Sequence, residues 1–289
     1  MRWRIAIFVV GSLMLAQSAH AQVDLSGMWA PMPRNQDGSG LTGDAAGVPL
    51  SPAAQWRAQS WSPEDFDVAE WVCRPHNFDY SLEGPLSRLR FWPVVEEATQ
   101  KLIAYEGHVE MMGQQSIIWM DGRPHPPENT VHTWSGFSTG EWEGDVLVVT
   151  TTHLKESYIR RGGLMRSDRA TIRTRWRLIG DYLQATSVMY DPVYFTEPYV
   201  RSTMTWRRDP AMTLPPYPCE EATETAVERG RTPHFLPGTS PLPGLNPNIT
   251  DTFGTPYEPR LGGAATTSPD YIKKMKTLPK PKEVQQPEG

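Results

Sequence analysis

"RATIRTRWRLIGDYLQATSVMYD" (Arg169–Asp191) decides the fold. Ala170, Ile172, Thr174, Trp176 and Leu178 alternate with Thr171, Arg173, Arg175 and Arg177. A two-residue period with one apolar and one charged set is the signature of a strand with one buried and one wet face. Gly180-Asp181 interrupts the alternation as a two-residue turn, and Leu183, Ala185, Ser187 and Met189 resume it. The segment is therefore a β-hairpin. Its arginine row reads as a solvated outer face.

The same grammar extends upstream. "LRFWPVVEE" (89–97), "KLIAYEGHVEM" (101–111) and "QQSIIWMD" (114–121) are β-branched and aromatic runs between short polar turns. "TGEWEGDVLVVTTTH" (139–153) is a strand, a Glu143-Gly144-Asp145 turn and a second strand. "VDLSGMWAP" (23–31) and "YVRSTMTWRRD" (199–209) supply a first and a last strand, and "SPAAQWRAQSW" (51–61) a short capped helix. About eight strands in sequential order, with few helices, leave two exposed edges unless the sheet closes. The expected fold is all-β: an antiparallel up-and-down β-barrel over residues 22–209, its interior filled or holding a ligand. A β-sandwich is the alternative.

The two ends differ from this body. Met1-Arg2-Trp3-Arg4, the apolar run Ile5–Leu15 and Ser18-Ala19-His20-Ala21 have the order of a secretory signal peptide, with cleavage after Ala21. The expected location is the periplasm or outside the cell. The apolar run is too short for a permanent span, and no later segment is long and apolar enough for one. After Asp209 come fifteen of the 28 prolines and no periodic pattern. Residues 210–289 read as a proline-rich arm wrapped over the barrel, with a disordered tail from about 276. In an oxidising compartment, two cysteines and no others make one disulfide the economical expectation, Cys73 with Cys219.

The net charge is −5, and losing the leader removes Arg2 and Arg4 but no acid. An acidic chain of this kind argues against a nucleic-acid partner. There is no dinucleotide or phosphate-binding glycine loop, and no cofactor is expected. Six histidines follow the leader, and four of them fall between His108 and His153. His125 and His132 are separated by six intervening residues in a loop, which is not a metal-ligand spacing, and no H-E-x-x-H is present, so no metal site is expected. "GFSTG" (Gly136–Gly140) matches G-x-S-x-G, but strand rather than helix follows it, so Ser138 is not a nucleophile elbow.

Metal-free acid–base chemistry remains. A histidine titrating near neutral pH beside a carboxylate can move protons on a bound substrate. His125 and His132 are the candidate bases, Asp121 and Glu197 the carboxylates, and Arg123 and Arg201 the groups to meet developing negative charge. Trp119, Trp134, His108, Asp191 and Tyr194 are candidate ligand-binding residues at the same barrel mouth. Asp121-Gly122 and Asp191-Pro192 also read simply as turns. Ten tryptophans remain after the leader, and a barrel lined with them would suit a flat apolar or aromatic ligand. Ordinary core packing is the simpler explanation for each tryptophan taken singly.

"DLSGMW", "IIWMDGRPHPP", "HTWSGFSTGEWEGDVLVVTTTH", "SDRATIRTRWR", "YDPVYFTEPYVRST" and "YPCE" together resemble a large, mostly uncharacterised family of exported bacterial proteins. The resemblance covers Asp24 to about Tyr271. Gly27-x-Trp29 is similar to the first strand of lipocalin-like barrels, which implies that architecture. The expected function is an exported barrel enzyme working by histidine–carboxylate acid–base chemistry on a small, largely apolar substrate, of the isomerase, hydratase/dehydratase or lyase type. The alternative is a periplasmic carrier that binds such a ligand without catalysis.

Overall fold

The computed structural model describes residues 23–32, 45–60, 77–82, 88–160, 163–201, 203–217, 236–239, 246–248, 256–275 and 277–278. Residues 1–22, on which the expected signal peptide falls, Cys73, Cys219 and the residues from 279 onward lie outside this set.

The strands are β1 (Gly27–Pro31), β2 (Leu89–Val95), β3 (Leu102–Val109), β4 (Gln114–Trp119), β5 (Phe137–Glu143), β6 (Val146–Thr152), β7 (Ser157–Arg160), β8 (Leu164–Arg166), β9 (Thr171–Ile179), β10 (Tyr182–Tyr190), β11 (Tyr199–Val200) and β12 (Met204–Arg208). Nine of them close on themselves in the order β1-β2-β3-β4-β5-β6-β9-β10-β12 and back to β1. Among these nine, sequence neighbours are ring neighbours throughout. The hairpin that decides the fold pairs from Tyr182↔Ile179 to Tyr190↔Thr171. Gly180, with φ +57°, makes its turn. β7 and β8 form a separate two-stranded hairpin. β11 takes the part of the β10 edge that β12 leaves vacant.

Wholly antiparallel pairing is not observed, and parity explains why. Each antiparallel neighbour reverses strand direction, so a closed ring needs an even number of reversals. Nine strands satisfy this only with a parallel pair, which here is β4–β5, joined through Ile118↔Ser138 and Trp119↔Thr139. The loop 120–136 must therefore return along the barrel before β5 begins.

The two barrel ends are unlike. One carries tight turns at 96–101, 144–145 and 180–181. The other carries the long connections and is the cap end. Over it lie α1 (Pro52–Gln59), α2 (Phe78–Leu82), the β7–β8 hairpin and segments of the arm, including α3 (Tyr257–Arg260) and α4 (Pro269–Met275). Ser51 caps α1 by accepting from the Ala54 amide at 3.3 Å, and Pro52 opens the helix. The arm is not purely extended, since it carries these two short helices. It joins the cap through Gly263 N–H to Val48 O (2.8 Å), Gln55 Nε2 to Gly262 O (3.2 Å) and Gly47 N–H to Thr266 Oγ1 (3.0 Å).

Two apolar clusters follow this division. The barrel cluster holds Trp29, Trp176 and Trp206, all essentially buried. Trp176 and Trp206 stack at 5.7 Å between ring centres, and Phe91 meets Trp176 edge-on at 5.1 Å. These rings fill the barrel instead of lining a wide cavity. The cap cluster joins Val48, Leu50 and Ala54 to Leu154, Ile159, Leu164, Ile172, Met189 and Phe195. Among the described residues no helix is long and apolar enough to cross a membrane.

Candidate functional site

Along β6, Leu147 and Val149 enter the core and Thr151 faces the interior, so Thr150 and Thr152 face outward. Ser138 likewise faces inward on β5, bonded to Thr151 Oγ1 at 2.8 Å, while Thr139 faces outward. "GFSTG" is thus plain strand. The loop 120–136 lies across this outer wall toward the cap end. Gly136 ends it at φ +67°, where a Cβ would sit 2.5 Å from the Thr152 carbonyl oxygen.

His125 docks on the wall through both ring nitrogens: Nδ1 to Thr152 Oγ1 at 2.7 Å and Nε2 to Thr139 Oγ1 at 2.9 Å. His153, at φ +54°, sets Nδ1 2.7 Å from the same Thr152 oxygen and Nε2 3.0 Å from the Pro127 carbonyl. His132 sets Nδ1 3.0 Å from the Leu154 carbonyl, its ring 5.3 Å from that of His153.

The tautomers follow from the acceptors. A carbonyl can only accept, so in neutral His153 the proton is on Nε2, and Nδ1 accepts from Thr152. That hydroxyl has one proton, so its oxygen accepts from His125 Nδ1–H. His125 Nε2 then accepts from Thr139. The bonds form one directed chain, Thr139 to His125 to Thr152 to His153 to Pro127. Burial, and secondarily the nearby His153, hold the His125 imidazole below its ordinary pKa. His132 stands apart. Its Nδ1–H donates to Leu154, and no hydrogen bond among the described residues uses Nε2.

These rings border an open groove of about 620 Å³, whose rim includes Glu128, Asp168 and Arg169. Arg169 and Glu128 approach to 3.7 Å, both well exposed. Among the described residues, no group of three or more His, Cys, Asp or Glu side chains is arranged to hold a metal ion.

The other candidates from the sequence stand elsewhere. Asp121 grips Arg123 through Nε (2.9 and 3.0 Å) and Nη2 (2.5 Å), and Arg123 lies 3.5 Å over the Trp119 ring. The hydrogen bond from Arg123 holds the Asp121 carboxyl down to about 2. Glu197 accepts from Thr267 Oγ1 at 2.8 Å. Neither carboxylate is bonded to a histidine. Arg201, buried, reaches Asp79 Oδ2 at 3.3 Å, and fully buried Arg166 reaches Asp79 Oδ1 at 3.5 Å. Asp191 is a buried staple, accepting from Ser167 N–H (2.6 Å), Ser167 Oγ (2.8 Å), Val193 N–H (2.9 Å) and Tyr194 N–H (3.1 Å). Tyr194 donates to Glu156 at 2.6 Å and also meets Arg57; burial, then Glu156, push its hydroxyl up to about 12. Trp134 carries Lys155 Nζ at 5.0 Å. His108 is on the outer face of β3, its pKa lowered by burial and by Arg90.

The structure therefore brings His125 and His132 together on the outer wall and scatters the rest. The sequence did not single out Thr139, Thr152, Glu128, Asp168 and Arg169. The run "TTTH" at the end of a strand was the available signal, because it puts outward hydroxyls beside a histidine.

A second feature lies inside the barrel. Between the tryptophan layer and α2 is a narrow, partly open space of about 40 Å³. Ser116, Ser138, Thr151, Thr174, Ser187 and Arg201 are among its walls. Compared with models of known families, with curated proteins and with solved structures, the chain finds no match.

Proposed function

We propose that this is an exported acid–base enzyme whose reaction takes place in the outer-wall groove, with His132 as its proton acceptor. One observation carries the reading. Five of the six ring nitrogens of His125, His132 and His153 are engaged in hydrogen bonds, and the sixth, His132 Nε2, belongs to a ring that borders the groove. In the neutral ring, an Nδ1–H fixed on a carbonyl leaves the lone pair on Nε2, the arrangement a general base requires. Glu128 and Asp168 are the carboxylates of this groove, and Arg169 its cation for a developing negative charge. His125 and His153 then hold the loop and do not transfer protons. The polar rim points to a small polar substrate rather than an apolar one. Proton abstraction next to a carbonyl, as in isomerisation or dehydration, is the chemistry that a lone imidazole base and a nearby guanidinium support.

The test is a turnover screen of small hydroxy- and keto-acids with the wild type, His132→Ala and His132→Gln. Loss of about a hundredfold or more in kcat with both variants is expected for a general base, with unchanged thermal unfolding. Turnover that survives both substitutions overturns the reading, as does a complete absence of turnover and binding in the wild type.

A further inference from the structure

The barrel interior is layered. Toward the turn end it is packed with Trp29, Trp176 and Trp206. Toward the cap end five ring-adjacent strands, β4, β5, β6, β9 and β10, each turn one hydroxyl inward: Ser116, Ser138, Thr151, Thr174 and Ser187. The fold does not require them. Alanine or valine would occupy these sites without burying a polar atom, and a buried hydroxyl costs stability unless bonded. Two cross-strand bonds satisfy part of the belt, Ser138 with Thr151 at 2.8 Å and Thr174 with Ser187 at 2.9 Å. In each pair one hydroxyl donates and the other keeps its own proton. The belt therefore retains O–H donors facing this narrow space.

The rest of the lining narrows what could lie there. Phe78, Asp79 and Leu82 of α2 line the cap side, with Arg201 beside them. The Asp79 carboxylate is taken up by Arg166 and Arg201, so the wall's carboxylate is already committed. Ile118, Val149 and Met204 are among its apolar lining residues. The free volume of about 40 Å³ suits a molecule of only a few heavy atoms.

We propose that this chamber is a second ligand site, separate from the groove, for a short-chain carbonyl compound. Its carbonyl or carboxyl oxygen would accept from the hydroxyl belt, and its alkyl part would rest on Ile118, Val149 and Met204. Recognition is by shape and donated hydrogen bonds, and no bond is made or broken.

Methyl-detected NMR with butanone and propionate as probes tests this. Expected are saturable shifts at the Ile118, Val149 and Met204 methyls, with exposed Ile117 unmoved. Thr174→Val and Ser138→Ala, which remove a hydroxyl from different pairs, should each weaken binding about fivefold, the value of one hydrogen bond. Having both variants keeps the test intact if one fails to fold. His132→Ala should leave chamber binding unchanged, which separates this proposal from the groove reading. Two results would overturn it: no saturable shift with either probe, or binding of equal strength in a folded Thr174→Val or Ser138→Ala variant.

Discussion

At the scale of single residues, two side chains tie segments together near the cap end. The His125 imidazole is neutral in the directed chain from Thr139 to Pro127, and burial lowers its pKa. The sign of the pH effect follows. Above the ordinary value of 6.5 the ring is neutral in folded and unfolded protein alike, and its stabilisation is fully present. As pH falls below 6.5, the unfolded chain binds the proton first, so stability declines until the folded ring also protonates. The urea midpoint should therefore drop on acidification beneath 6.5, and the drop should shrink in His125→Ala. An identical pH profile in the variant would place the effect elsewhere. The second residue is Asp191, which accepts from the backbone N–H groups of Ser167, Val193 and Tyr194 and from the Ser167 hydroxyl. Asp191→Ala orphans them in a buried site, at a cost on the order of 3 kcal/mol or more. A urea midpoint within error of wild type would show that water replaces the carboxylate there.

At the scale of elements, α2 acts as a plug. Gly107 on β3 has no side chain because the plug needs the space: a Cβ would sit 2.8 Å from Phe91 and 3.0 Å from Phe78. Gly107→Ala should cost about 1–3 kcal/mol by overpacking and raise hydrogen exchange at 78–82 before it does so in β9–β10. Unchanged exchange at 78–82 would mean that Phe78 does not rest on that strand. Much of the element list was legible in the sequence, since alternation is local and long runs declare it. The β9–β10 hairpin and the α1 cap were read from such signals. The β7–β8 hairpin was not, because Ser157–Arg160 and Leu164–Arg166 are too short to show a period. The position of the histidine loop was only half legible. His125 and His132 share a loop on sequence grounds, but its course along the outer wall depends on β5 running parallel to β4. Nothing between 120 and 136 encodes strand direction. Asp121 and Glu197 were drawn toward the histidines only by sequence adjacency to turns, whereas their bonds, to Arg123 and Thr267, are set by local geometry and by the arm.

At the scale of the whole molecule, parity makes one seam of the barrel weaker than the rest. An odd ring must contain a parallel pair, and here that pair is held by two register positions, against nine for β9–β10. Parallel pairing is also slightly less stable per residue than antiparallel. The seam is reinforced from within by close packing. Gly140 sits so tightly that a Cβ there would lie 2.6 Å from Met120 Sδ, 2.9 Å from Ile118 and 3.0 Å from Leu147. Met120 and Ile118 belong to the end of β4 and the start of the loop, so this contact bridges the two parallel strands. The barrel should therefore open first between β4 and β5, and native-state hydrogen exchange should rank these amides as the least protected of the nine-strand ring. Gly140→Ala should accelerate exchange at 117–119 and 138–141, at an overall cost of about 1–3 kcal/mol, while β9–β10 amides continue to exchange only through global unfolding. If the β4–β5 amides prove as protected as those of β9–β10, the packing at Gly140 outweighs the missing hydrogen bonds and the barrel has no preferred seam. If Gly140→Ala instead speeds exchange equally around the ring, closure is so cooperative that a local defect is felt everywhere at once.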